Sequence, residues 1–360
     1  MNKELTKKTL PSVEQAQTNK HLITYLQQRA RSVLDQLIPD GSNVVLLDYP
    51  NNSNVGDSLI WLGEVKYLQS RNITPRYVCD MDNYNAKKLE KIIDDRTIIL
   101  MHGGGNFGTI WPKEQAFREQ VLKDFRGVKT IQLPQTITFE NKEKTHETAK
   151  VISAHGNYTI LTRGIPSFEF ASQVFDANVQ LSPDMAFFIG AIERVPEPLF
   201  DRFVLSRTDH EKASNWIHDL AESGSHLSID VNDWLEINTY EKFLFRVEKY
   251  SESLRKHTDA NNIQLLGLWN MLANIRMKRG IDLLGRGRVI ITDRLHVHIL
   301  SILMNKPHVV IDNAHKKIGN FHHTWTEGYP RAKFVTSASE AIQASDGFDG
   351  IFNDKLKIAE

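Results

Sequence analysis

The chain has 360 residues, 41% hydrophobic and 24% charged, an ordinary globular composition with length enough for two cores of the usual size. Lysine plus arginine and aspartate plus glutamate are equal at 44 each, which removes both the basic field that would point to nucleic acid and the acidic surplus of a solvating tail. The single cysteine, Cys79, excludes an intramolecular disulfide, and no window approaches 18 uninterrupted apolar residues, so the sequence predicts a soluble, cytoplasmic protein without a membrane span.

The opening MNKELTKKTL carries charges with no apolar segment behind it, so no leader is expected. Residues 12–38 hold Val13, Leu22, Ile23, Leu26, Val33, Leu34, Leu37 and Ile38, partly at helical spacing, and predict a helix on the outside of a first lobe. Strands are predicted near 43–48, 75–79, 97–102, 128–133 and 158–162, with amphipathic stretches between them. That alternation argues a parallel sheet covered on both faces. Cys79 falls inside one of these strands, where a core thiol is the expectation.

Two prolines among charges in GAIERVPEPLFD mark a linker, after which strands are predicted at 203–206 and 226–230. Helices follow in roughly 240–256 and 262–279, then a strand, helix and strand over 289–312. The resulting plan is a helical extension at 1–42, a first lobe at 43–190, a linker at 191–201, a second lobe at 202–345 and a tail at 346–360. Both lobes are α/β with parallel sheets, and a cleft lies between them.

Four stretches gather polar residues and glycines where predicted strands end, which is where an α/β sheet places its ligand. In LLDYPNNSNVGDSLI, Asn54, Gly56 and Asp57 follow a strand and open a helix. On residue type alone, helix capping by Asn54 or Asp57 outweighs ligand binding. In IILMHGGGNFG, the consecutive Gly103, Gly104 and Gly105, followed by Asn106, let the backbone approach a ligand. The spacing matches neither G-x-G-x-x-G nor the Walker signature, so no nucleotide cofactor is indicated.

Arg207 ends the first strand of the second lobe, and Arg294 and His296 sit after the strand 289–292. Two guanidinium forks at strand ends in one lobe suit a small polyanion, and an imidazole beside them can exchange a proton near neutral pH. Asp293 is read as the N-cap of the helix that follows. His322 and His323, adjacent in what reads as an extended run, would point oppositely with no acid or cysteine to complete a ligand set, so no metal is expected.

Taken in order, NVGDSLI, HGGGNFG, LPQT, SPDMAFF, SRTD and TDRLHVHILSILMNKPHVVIDN resemble the polysaccharide pyruvyltransferase family over most of the chain, TDRLH being the most specific. The resemblance implies two Rossmann-like lobes of the GT-B type. It also implies transfer of the enolpyruvyl part of phosphoenolpyruvate to a sugar of a cell-surface polysaccharide, or of its lipid-linked precursor, with closure to a pyruvate ketal. It assigns Arg207, Arg294, Leu295 and His296 to the donor, Leu295 through its backbone. Asn54, Gly56, Asp57, Gly103, Gly104, Gly105 and Asn106 go to the acceptor side.

His296 is then the candidate acid, with Arg294 beside it, and Asp57 a weaker candidate base for the sugar hydroxyl. Phosphoenolpyruvate enters as donor substrate, and substitution with proton transfer requires no metal or redox cofactor. A lipid-linked acceptor implies at most a peripheral visit to the inner face of the membrane, and nothing in the sequence sets an oligomeric state. Two departures touch acceptor recognition or loop shape: Gly164 follows Arg163 where R-E-x-x-S is frequent, with Ser167 retained, and 312–317 reads DNAHKK where DNSYGK is common. The alternatives are a nucleotide-sugar glycosyltransferase of the same architecture and a non-catalytic member of the fold.

Overall fold

The computed structural model describes residues 18–206, 229–232, 234, 241–243, 245–247, 250, 263–312 and 317–349. The first sheet holds seven strands: β1 (Asn43–Leu47), β2 (Tyr77–Cys79), β3 (Thr97–Met101), β4 (Gly104–Gly108), β5 (Thr130–Thr138), β6 (Tyr158–Thr162) and β7 (Asn178–Leu181). They run parallel in the order β2-β1-β3-β5-β6-β7, with β4 beside β5 through an irregular register. The second sheet, also parallel, runs β12-β11-β10-β8-β9. Its strands are β8 (Phe200–Leu205), β9 (Ile229–Asn232), β10 (Gly287–Thr292), β11 (His308–Ile311) and β12 (Ala332–Val335). The chain therefore forms two Rossmann-like lobes, and near-continuous apolar runs such as β3 and β6 are buried because helices cover both faces.

In each sheet the second strand lies outside the first and the rest build away on the other side. The strand order thus reverses between β1 and β3 and again between β8 and β10, the crevices in which open α/β sheets hold ligands. Several elements among the described residues were not foreseen, among them β4, β7, β12 and the helix after it. β4 is glycine-rich, β7 is a partly exposed edge, and β12 with the helix after it is too short to show a period.

Helix α1 (Asn19–Leu37) corrects the expectation of an element outside the first lobe. Its first half buries Leu22, Ile23 and Leu26 with second-lobe residues such as Phe203 and Leu300, and its second half buries Ala30, Leu34 and Leu37 against the first lobe. Nineteen residues span about 28 Å, enough for one apolar stripe to serve both cores. Asn19 Nδ2 also donates to Ile302 O at 3.1 Å, tying the helix start to the second lobe.

Helices α3 (Ala86–Glu90), α4 (Pro112–Asp124), α5 (Lys142–His155) and α6 (Ile165–Val174) belong to the first lobe, and two more, α2 (Val55–Ser70) and α7 (Ile263–Gly285), interlock the lobes. Trp269 of α7 stacks on Tyr49 of the first lobe, centroids 4.4 Å apart, and Trp61 of α2 donates its indole N–H to Asn270 at 2.8 Å. Arg279 of α7 bonds Glu241 and the carbonyls of Ser53 and Trp234, the last at 2.9 Å, so the loop before α2 is held from the other lobe. Cys79 is fully buried, and burial pushes its thiol pKa up.

Candidate active site in the interlobe cleft

A cavity of about 610 Å³ opens where the carboxyl ends of both sheets meet. Residues that follow β1, β2 and β3 (Asp48, Asp80, His102) line one wall, and Arg294, Leu295 and His296, which follow β10, line the other. Both sheets therefore present their points of strand reversal to the same space. Asn54, Asp57, Gly103, Gly105 and Asn106 also border it, as do Arg163 and Lys317.

On the second-lobe wall, Arg294 N–H donates to Thr292 Oγ1 at 3.0 Å and helix α8 (Leu295–Leu303) begins directly after. The Arg294 guanidinium lies over the Trp234 indole at 6.0 Å, and the first turn of α8 brings its positive dipole end to the cavity. Asp293 is not the cap of this helix: it is fully buried and accepts from Ser206 Oγ at 3.0 Å, while the helix has Arg294 at its N-cap position. The reason is geometric, since Asp293 still belongs to the strand end and its carboxylate reaches across to β8. Arg207 lies outside the described residues, as do 313–316 of the DNAHKK stretch.

Arg163, buried at the end of β6, brings a guanidinium, along with that of Arg294, to the cavity. Its Nη1 pairs with Asp184 Oδ2 at 2.7 Å and its Nε donates to Thr136 Oγ1 at 2.8 Å. His296 Nε2 stands 3.3 Å from the same Asp184 oxygen and 3.4 Å from Arg163 Nη1. Burial would raise the Asp184 pKa, but the hydrogen bond and charge of His296, the charge of Arg163 and the Ala186 N–H together hold it well below the carboxylate range. A Cβ on Gly105 would stand 2.9 Å from Arg163 Nη2 and 3.6 Å from Lys317 Nζ, which places two cations on one stretch of glycine backbone. The SPDMAFF motif carried a signal for Asp184, a short acid before an apolar run, but what it pairs with is set by the fold.

On the first-lobe wall, Asn54 caps α2 by accepting from Gly56 N at 2.9 Å. Asp57 Oδ2 takes the Asn52 and Asn54 amides at 3.1 and 3.2 Å. Gly56 does not border the cavity. It packs face to face with His296, and a Cβ there would come within 2.4 Å of the imidazole, so glycine is what lets the two helix starts meet. Gly104 also stands back from the cavity; its φ of +128° is a conformation that only glycine adopts readily. Asn106 Oδ1 is taken by Arg118 at 2.8 Å and Gln135 at 2.9 Å, so the group it offers a ligand is its amide nitrogen.

Deeper on this wall, His102 Nδ1 meets Glu64 Oε2 at 2.9 Å, and Glu64 Oε1 accepts from Gly103 N at 2.9 Å. The sequence expectations contained none of His102, Glu64, Asp48 or Arg163 as site residues. His102 directly precedes the glycine run and Asp48 ends an apolar strand, so both carried the strand-end signal. Glu64 lies mid-helix and carried none.

Of the two departures, Gly164 adopts extended backbone, and a side-chain Cβ there would meet no atom closer than 3.9 Å, so nothing steric demands glycine. Retained Ser167 has a structural task, its Oγ accepting from Ile137 N at 3.0 Å. Lys317, last residue of the other altered stretch, is buried and faces the cavity.

Guanidinium, ammonium and imidazole groups between two Rossmann-like lobes make this a cleft suited to an anion. A family model described as polysaccharide pyruvyl transferase matches residues 54–315, and the chain belongs to that family. It is 32% identical over 324 residues to a Bacillus subtilis (strain 168) protein named putative pyruvyl transferase EpsO, covering 89% of this chain and 97% of that one. It is 33% identical over 301 residues to Pyruvyl transferase 1 of Schizosaccharomyces pombe, covering 79% and 70%. A crystal structure of a functionally uncharacterized Klebsiella pneumoniae protein shares the fold, with a TM-score of 0.56 at 18% identity over 87% of this chain and 99% of that one.

Proposed function

We propose that the protein transfers the enolpyruvyl group of phosphoenolpyruvate to hydroxyls of a sugar in a cell-surface polysaccharide or its lipid-linked precursor, closing it into a pyruvate ketal. The observation that carries this reading is the convergence of Arg163, Arg294, Lys317 and His296 on one cavity at the N-terminus of α8. Phosphoenolpyruvate bears a carboxylate and a phosphate, so it needs two anion clamps, and guanidinium forks match both groups.

Its methylene carbon must also gain a proton. His296, bonded to the ionised Asp184, is placed to supply it, which makes the adjoining carbon cationic enough for a sugar hydroxyl to attack. A second hydroxyl then displaces phosphate. A cavity of about 610 Å³ falls in the range that holds a donor together with a sugar ring. A lipid-linked acceptor would be met at the inner face of the membrane, and no helix among the described residues is long and apolar enough to cross it.

The test is the melting temperature with and without millimolar phosphoenolpyruvate, run beside Arg294→Ala. Stabilisation of the wild type and not of the variant is the expected result. Stabilisation by a nucleoside diphosphate in its place would transfer the assignment to a glycosyltransferase.

A further inference from the structure

The first-lobe wall of the cavity, across from Arg294 and His296, holds a set of groups for which the donor has no use. β1 and β3 are adjacent and in register, Leu47 opposite Met101, so the next residues, Asp48 and His102, stand side by side at the point of strand reversal. His102 N donates to Leu47 O at 3.1 Å, fixing that pairing beyond the last ladder rung. Both side chains border the cavity, and both are nearly inaccessible, at 4% and 2% exposure.

The His102 ring is held by its Nδ1 edge on the buried Glu64 carboxylate, which turns Nε2 away from Glu64. His102 Nε2 and Asp48 Oδ2 are both buried without a hydrogen-bond partner among the described residues. Burying such groups unpaired costs roughly 1–3 kcal/mol each, and both open on the cavity, where a bound molecule can satisfy them. Asp48 also sits at φ +71°, a left-handed conformation uncommon outside glycine and typical of strained functional positions.

The geometry points to His102, positioned by Glu64, and Asp48 as the pair of bases that take the protons of the two acceptor hydroxyls. This assignment rests on the pyruvyl-transfer reading. As the first hydroxyl oxygen bonds to the central carbon of the donor, its proton passes to His102 Nε2 while the methylene carbon gains a proton from His296. As the second hydroxyl oxygen bonds to the same carbon, its proton passes to Asp48 and the carbon–oxygen bond to phosphate breaks, the electron pair leaving with phosphate. Two protons are taken up and one is given. The surplus proton departs with the hydrogen phosphate, and the other restores His296.

The electrostatics agree with the geometry. Burial pushes the Asp48 carboxyl up to about 7 against the pull of His102 and Arg118. Burial opposes charge on His102, but the neighbouring Glu64 carboxylate outweighs it and raises that pKa. A carboxylate and an imidazole so tuned are stronger bases near neutral pH than their exposed counterparts. Asp57 is a poorer base by position, since one carboxylate oxygen already accepts two amides.

His102→Asn tests the assignment, because an asparagine amide can keep the Glu64 hydrogen bond while removing Nε2. Phosphate release from phosphoenolpyruvate is followed with a panel of p-nitrophenyl hexosides and N-acetylhexosaminides, alongside the melting shift caused by phosphoenolpyruvate alone. The expected result is a kcat lower by about 10²- to 10⁴-fold with the donor-induced melting shift retained. In Glu64→Gln, loss of the carboxylate lowers the His102 pKa, so the acidic limb of the kcat–pH profile moves to lower pH and the plateau falls, which a merely structural role would not produce.

A kcat within threefold of wild type in His102→Asn, or loss of the donor-induced shift together with turnover, overturns the assignment while leaving pyruvyl transfer standing. If His102→Asn does not fold, an unmoved acidic limb in Glu64→Gln overturns it. A wild type that phosphoenolpyruvate does not stabilise, or that releases phosphate with no glycoside, overturns the transfer reading and this assignment with it.

Discussion

Two groups of histidines, one at the cleft and one in the second-lobe core, show how partners decide what a residue type does. His102 and His296 each face a buried carboxylate, Glu64 at 2.9 Å and Asp184 at 3.3 Å, and border the cavity. His298 lies two residues beyond His296 on the same helix and so on a different face. It meets His308 at 2.7 Å and Thr326 at 2.9 Å, and Thr326 meets His322 at 3.0 Å. His308 is completed by Lys306 O at 2.8 Å. That chain is satisfied with every ring neutral, and burial drives the pKa of His308 and of His322 down to about 4 and that of His298 well below its usual value. A carboxylate makes a buried imidazole a proton-transfer group, whereas another imidazole makes it a packing group with polar edges.

The largest effect that would break this contrast is at Arg163, which serves the Asp184 pair. Arg163→Ala leaves Asp184 buried and short of one cation, and should cost about 3–5 kcal/mol of stability as well as donor binding, read by urea denaturation and by loss of the donor-induced melting shift. An unchanged denaturation midpoint would show that His296 alone suffices for that carboxylate. His296→Ala should lower turnover by about 10²-fold or more with folding intact, checked by phosphate release and circular dichroism.

The core histidines should instead govern stability against pH. Their folded pKa values lie below the unfolded value, so the stabilisation is complete above about 6.5 and is lost as pH falls toward 4, where the unfolded chain binds protons that the folded chain refuses. Each of His308 and His322 should contribute on the order of 2 kcal/mol of lost stability at pH 5 relative to pH 7.5, seen as a melting temperature lower by several degrees. The fall should be shallower in His322→Phe. The smallest effect is expected at Asp57, where Asp57→Asn should reduce kcat less than about tenfold if its role is to order the loop. A larger loss there would move the acceptor base from the inner wall to the helix start.

Much of this was legible in residues read in order. Strand-end positions of Arg294, His296, Gly103 and Asn106 could be named because apolar runs stop visibly and polar residues follow. The π-helical turn His322–Thr326 could not: an apparently extended His-His pair instead buries His322 and exposes His323, because a helical turn and a strand separate adjacent side chains by different angles. The site of Arg207 falls outside the described residues, whereas Arg163 lay in a stretch weighed only for what followed it.

The two parallel α/β lobes, the family and the strand ends that border the cavity could all be reached from the order of residues, since period, punctuation and motif order are local properties of the chain. It took the packed molecule to show that α1 bridges both cores, that Gly56 must yield to His296, and that Glu64 in mid-helix holds His102. Those facts depend on which surfaces meet across tens to hundreds of residues, and no local pattern encodes a contact between side chains that far apart.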